Sequence, residues 1–149
     1  MKYITFAIPC YNSESYMHHA IETILTAKDD VEILVIDDGS SDNTLKIAKE
    51  YEEKYPGIVK AIHKENGGHG SGVNKGLSLA KGLYYKVVDS DDWVDEEALK
   101  RVLETIKKLE KEQNLVDTMV VNYVYEREDG QKEINYHKTL PENKVFTWD

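Results

Sequence analysis

Tyr84-Tyr85-Lys86-Val87-Val88-Asp89-Ser90-Asp91-Asp92 is an apolar and aromatic run that stops at three carboxylates interrupted by one small residue. The run has the composition of a strand, and the acids mark its end. Like charges this close repel, and desolvating them at a sheet edge is costly unless something positive is bound there. Hard oxygen donors suit Mg²⁺ or Mn²⁺, and such a cation bridges readily to phosphate. The same acids also suit the start of the following helix, so both readings stand on this stretch alone.

Outward from this stretch the chain alternates strand and helix patterns. Tyr3 to Ile8 is a short apolar run closed by Pro9. Ser13 to Ala27 repeats apolar residues at Met17, Ala20, Ile21, Ile24 and Leu25, the stripe of a helix lying on a sheet. Val31 to Ile36 reads as a buried strand that stops at Asp37-Asp38-Gly39. Ser41 or Asp42 then caps a helix through Tyr55, with Leu45, Ala48 and Tyr51 inward and Pro56-Gly57 ending it. Ile58 to Ile62 is a third strand. Six of the nine glycines fall between Gly67 and Gly82, which predicts a loop feeding a short helix over Val73 to Ala80. Tyr84 to Val88 is the fourth strand. Asp95 caps a long helix to about Gln113, with Val94 and Leu99 as a hydrophobic staple and Val102, Leu103, Ile106 and Leu109 along one face. Thr118 to Tyr125 alternates toward a strand, and Asp129-Gly130 has the composition of a hairpin turn.

Repeated strand–helix units with short connections imply a mainly parallel sheet covered on both faces. Ligands of such sheets bind beyond the carboxyl ends of the strands. Three polar clusters fall at those ends: Pro9-Cys10-Tyr11-Asn12, Asp37-Asp38-Gly39-Ser40 and Asp89-Ser90-Asp91. Each also has a plainer reading. Tyr11 suits packing as well as base stacking, and Asp37 and Asp38 with Ser41 suit turn and cap chemistry. Two adjacent acids exceed what a turn requires, however, and an aspartate there accepts the imide N–H of uracil, a donor that cytosine lacks. The Gly67-Gly68-His69-Gly70-Ser71-Gly72 loop matches neither a P-loop nor a dinucleotide fingerprint, although its N–H groups can approach an anion at the next helix. His69 is expected to face solvent from this loop, and Trp93 to pack at the start of the last helix.

A length of 149 residues fits one domain with a real core, and 40% apolar with 32% charged residues is ordinary for a globular protein. The net charge of −9 argues against duplex nucleic acid as a partner, which demands a basic face. The single cysteine, Cys10, makes no internal disulfide and suits a reducing compartment. The N-terminus has no signal-peptide architecture, and no run of 18 apolar residues occurs, so this portion is expected to be cytoplasmic and not membrane-spanning.

Four segments in order then carry a family resemblance. Ile8-Pro9-Cys10-Tyr11-Asn12, Val35-Ile36-Asp37-Asp38-Gly39-Ser40-Ser41-Asp42, Asn66-Gly67-Gly68 with Asn74-Lys75-Gly76, and Val88-Asp89-Ser90-Asp91-Asp92 resemble the signature of family 2 glycosyltransferases over about the first 110 residues. The resemblance implies the GT-A fold, a Rossmann-type, mainly parallel α/β sheet flanked by helices, here followed by a C-terminal strand or hairpin. It implies a nucleotide-diphosphate sugar donor, most simply UDP-linked, and a saccharide or other hydroxyl acceptor in polysaccharide or glycoconjugate synthesis. Pro9, Tyr11 and Asp38 would line the nucleoside pocket, with Asn12, Asn66, Gly67, Asn74, Asp89 and Ser90 also at the nucleotide sugar. Asp91 would ligate a divalent cation, Mn²⁺ or Mg²⁺, and Asp89 would assist through the ribose or a metal-bound water.

Two departures qualify the match. Many relatives have an Arg-Asn pair where this chain has Val73-Asn74, which leaves Lys75 or His69 as stand-ins for a cationic contact. The family's acceptor half, with the carboxylate that serves inverting members as general base, normally lies further along. The expectation is therefore one nucleotide-sugar-binding domain over residues 1–149, cut short on its acceptor side, with the base beyond Asp149, little transfer by this portion alone and possible membrane association of the whole protein. Two alternatives stay open: a non-catalytic nucleotide-sugar-binding module, and an aspartate-based phosphotransfer domain. One form of the latter needs Asp-x-Asp-x-Thr after the first strand, where this chain has Pro-Cys-Tyr-Asn.

Overall fold

The structure, a computed structural model, describes residues 1–127, 130–136, 139–140 and 144–145. Two compact units form, Met1–Lys108 and Leu109–Asp149. In the first, strands β1 (Ile4–Cys10), β2 (Val31–Asp37), β3 (Val59–His63) and β4 (Tyr84–Val87) alternate with helices α1 (Met17–Leu25), α2 (Thr44–Lys54) and α3 (His69–Leu79); α4 (Glu96–Lys111) follows β4, and its last three residues fall in the second unit. The four strands form one parallel sheet in the order β3-β2-β1-β4.

Every residue of β1 and β2 is buried, which explains why these two segments read as mostly apolar rather than alternating, with Thr5, Glu32 and Asp37 as the polar residues among them. Ala7, Leu34, Ile36 and Ile62 form a core cluster, with Leu79 and Tyr85 packed against it. On α1 the residues on the apolar stripe, Met17, Ala20, Ile21 and Ile24, are fully covered. Met17, Ile21 and Ile24 each contribute about 1.5–3 kcal/mol on leaving water, and the single methyl of Ala20 contributes less. The glycines of α3 let it sit close to the sheet. A Cβ at Gly76 would lie 2.7 Å from both Ala7 Cβ and Tyr85 Oη. This tight seating offsets the low helix propensity of a glycine-rich segment.

Several boundaries differ from the sequence expectation. Helix α3 begins at His69 rather than Val73, because Gly68 turns the chain at φ +81°. Helix α2 begins at Thr44 with Asn43, not Ser41 or Asp42, at its N-cap; Asp42, one residue further out, accepts the Thr44 N–H at 2.9 Å. Asp95 caps α4 as expected, accepting the Ala98 N–H at 2.7 Å.

In the second unit, β5 (Tyr123–Arg127) pairs antiparallel with β6 (Gly130–Ile134). The strand expected from Thr118 starts only at Tyr123. β-Branched residues favour a strand only where a partner pairs with them, and the five-residue β6 reaches no further than Tyr123. Of the expected Asp129-Gly130 turn, Asp129 lies outside the described residues, and Gly130 opens β6 opposite Arg127.

Candidate functional site

Strand order decides where a ligand can sit. From β1 the chain passes to β2 and then β3 on one side, and then returns to place β4 on the other. A reversal of this kind opens a crevice at the carboxyl ends of the strands it separates, here β1 and β4. The three clusters picked out in the sequence all lie along that edge.

After β2 the two acids divide the work. Asp37 is fully buried; its Oδ1 accepts the Ser40 N–H at 3.1 Å and its Oδ2 meets His63 Nδ1 at 2.6 Å. It shapes the turn. Asp38, also buried, accepts the N–H groups of Gly67 at 3.0 Å and Gly68 at 2.8 Å, and pairs with Lys64 Nζ. Burial opposes its charge, but the Lys64 bond and the two glycine N–H groups outweigh that cost and hold the carboxyl below its ordinary range. Gly39 makes the crowding possible, since a Cβ there would fall 2.9 Å from the Asn66 nitrogen, at φ +73°. Asn66 and Gly67 are thus brought against the β2 end, as the sequence grouped them.

The loop after β1 is tied on both sides. Asn12, at φ 51°, donates its N–H to Ser40 Oγ at 3.0 Å and accepts the Ser41 N–H at 2.9 Å. Glu14 Oε2 accepts both the backbone and side-chain N–H of Asn43 at 2.8 Å, and Asp42 accepts the Glu14 N–H at 3.1 Å. Pro9 is buried, with α3 backing onto it at Gly72, whereas Tyr11 is 55% exposed at the edge. That exposure removes the packing reading of Tyr11. Ser13, fully buried, accepts the Tyr11 N–H at 3.2 Å and lies 2.9 Å from Ser90 Oγ.

After β4, Asp89, Asp91 and Asp92 are exposed while Ser90 is buried. Partial loss of water around it, then the charges of Asp91 and Asp89, push the Asp92 carboxyl above its ordinary range. His69, expected to face solvent from a loop, instead heads α3 with Nε2 at 3.6 Å from Asp89 Oδ1, both side chains remaining more than half exposed. Asn74 and Lys75 are exposed on α3, and among the described residues no hydrogen bond joins Asn74 to the other candidates. Trp93 is 43% exposed, with its ring 4.8 Å from that of His19. Among the described residues no three His, Cys, Asp or Glu side chains converge on one centre. Asp89 and Asp91 offer the one or two hard oxygen ligands that Mg²⁺ takes from a protein when phosphate and water complete its shell. Lys64 and Ser13 were missed in the sequence; only their position just past a strand end pointed to either.

Such an edge defines a class: a parallel α/β domain whose polar and acidic residues gather beyond its strand ends. The model of the glycosyl transferase family 2 matches residues 5–147, and the chain belongs to that family. Among curated relatives, the glycosyltransferase GlyG of Streptococcus pneumoniae is 35% identical over 130 residues, covering 85% of this chain and 41% of the relative. The poly(ribitol-phosphate) beta-glucosyltransferase of Bacillus spizizenii is 38% identical over 102 residues, covering 66% and 16%. Among solved structures, S. aureus TarS 1–349 in complex with UDP superposes with a TM-score of 0.65 at 33% identity, covering 74% of this chain and 33% of that one. The chain spans less than half the length of the curated relatives it matches. The GT-A-type sheet expected from the sequence is present, and family membership sets the phosphotransfer alternative aside. No helix among the described residues is long and apolar enough to cross a membrane.

Proposed function

We propose that this chain binds a UDP-linked sugar together with a divalent cation, and that the whole protein transfers the sugar to an acceptor hydroxyl during cell-surface polysaccharide or teichoic-acid-type synthesis at the cytoplasmic side. One observation carries the reading: the Asp38 carboxylate and the Asp89–Asp91 loop stand at the carboxyl edge of the same parallel sheet, beside an exposed Tyr11. The likeness to TarS, whose complex holds UDP, and to relatives of teichoic acid synthesis supports it.

Asp38 suits a base reader. A carboxylate offers about four acceptor positions, and Lys64, Gly67 and Gly68 take three of them here. The remaining position accepts an imide N–H, present in uracil and absent from cytosine. Tyr11 offers a ring face to the base, and Asn12 and Asn66 offer polar groups alongside it. Asp91, with Asp89, would hold the cation; when bound, it neutralises the charge that develops on the leaving diphosphate. Asp89 and Asp91 otherwise face the diphosphate as unfavourable like charges. The general base is assigned to no residue of this chain, so deprotonation of the acceptor belongs to the whole protein.

Calorimetric titration of UDP, CDP and GDP in Mn²⁺ and in EDTA tests the proposal. UDP should bind most tightly, and more tightly with Mn²⁺. Absence of binding by every nucleotide under both conditions would reject it.

A further inference from the structure

We infer that Ser13 is a positioning residue that couples the nucleoside-facing loop after β1 to the carboxylate loop after β4; the inference rests on the nucleotide-sugar reading above. Its hydroxyl touches both walls of the crevice. Ser13 Oγ accepts the Tyr11 N–H at 3.2 Å and lies 2.9 Å from Ser90 Oγ, across 77 positions of sequence. Ser90 stands between Asp89 and Asp91, buried where both acids are exposed, so it is the inward anchor of that loop. The Ser13 N–H in turn donates to Thr44 Oγ1 at 2.8 Å, which pins the serine to the start of α2.

Cys10 closes the node. Its thiol donates to the Ile8 carbonyl at 3.4 Å, and its carbonyl accepts the Asp38 N–H at 2.8 Å, which ties the end of β1 to the first residue after β2. Ser13 is wholly covered, and Cys10 and Ser90 nearly so. A surface hydroxyl would exchange its partners for water and transmit nothing. A hydroxyl has one hydrogen and two acceptor sites; here the Tyr11 N–H occupies one acceptor, and the bond to Ser90 uses the hydrogen or the other acceptor. Separating the two serines would strand buried polar groups in a low dielectric, so displacement of one loop carries the other with it. A base settling against Tyr11 therefore sets the register of Asp89 and Asp91 toward the diphosphate.

The test is calorimetric titration of UDP in Mn²⁺ and in EDTA with the wild-type chain, Ser13→Ala, Ser90→Ala and the double variant, each at a temperature where circular dichroism shows it folded. The ratio of the two UDP affinities reads the coupling. Each single substitution should lower that ratio about three- to tenfold, the worth of one buried hydrogen bond, and the double variant should lose no more than either. Ser90→Thr, which keeps the hydroxyl, should restore it. A purely structural serine would lower the melting temperature and leave the ratio alone; an unchanged ratio, or losses that simply add, would overturn the inference. Should Ser13→Ala fail to fold, Ser90→Ala and Ser90→Thr test the same bond from its other end. A wild-type chain that binds UDP without metal dependence would overturn the metal part of the functional reading and this inference together. A metal-dependent wild type with a metal-dependent Ser13→Ala would overturn the inference alone.

Discussion

Asp38→Ala removes a carboxylate that accepts three donors, and the structure allows the loss to be apportioned. Gly67 and Gly68 are exposed, so water takes over their N–H groups at little cost. Lys64 is different: its side chain is 21% exposed and faces a carboxylate that is only 6% exposed. Breaking a largely buried pair from one side leaves an uncompensated charge. We place the loss of stability at about 2–3 kcal/mol, below the value for a fully buried pair because Lys64 retains some water. For a chain of this length that lowers the melting temperature by about 4–12 °C. The pH dependence has a definite sign. With its folded pKa depressed, Asp38 contributes stability that is complete above the unfolded carboxylate value of about 4 and disappears as the pH falls through the folded pKa. Wild type and Asp38→Ala should therefore differ most near neutrality and converge in acid. Urea melts from pH 7 downward measure this, and calorimetry measures the nucleotide. UDP should weaken by about 1–3 kcal/mol, and the preference for UDP over CDP should narrow. An unchanged urea midpoint at pH 7 would refute the clasp, and equal losses for UDP and CDP would refute base reading.

Asp91→Asn should abolish most of the extra thermal stabilisation that Mn²⁺ adds to UDP while leaving the metal-free melting temperature near wild type. An undiminished metal increment would remove Asp91 as a ligand. Gly76→Ala should destabilise by about 1–3 kcal/mol despite alanine's better helix propensity, because the new methyl meets Ala7 and Tyr85; a higher urea midpoint would show that α3 lifts off the sheet at no cost. Burial, helped by the charge of Asp37, pushes the Cys10 thiol up to about 12. A colorimetric disulfide reagent at pH 8 should label it slowly in the native chain and rapidly in urea, and equal rates would contradict its burial.

Much of this architecture was legible because local pattern reports local burial. The run of Val31 to Ile36, apolar but for Glu32, marked a strand covered on both faces, and the stripe from Met17 to Ile24 marked a helix covering it. Acids and turn residues after those runs located the strand ends, and the rule for parallel sheets then located the site. The start of α3 was hidden because Gly68, Gly70 and Gly72 argue against a helix. Close seating on Ala7 and Ile36 makes that helix stable, and such seating leaves no periodic trace. The strand expected over Thr118 to Asn122 failed for the opposite reason: its propensity was real, but among the described residues no strand pairs with it.

The amino-acid sequence by itself determined the alternation of strands and helices, the parallel class of sheet and the residues available at its carboxyl edge. Each of these depends on side-chain chemistry within a few positions. Only the tertiary structure decided the order β3-β2-β1-β4, the clasp of Asp38 by Lys64, Gly67 and Gly68, the approach of His69 to Asp89, and the bond from Ser13 to Ser90. These are contacts between segments far apart in the chain. Their partners are chosen by which strands pair and which faces bury together, and no single segment carries that information.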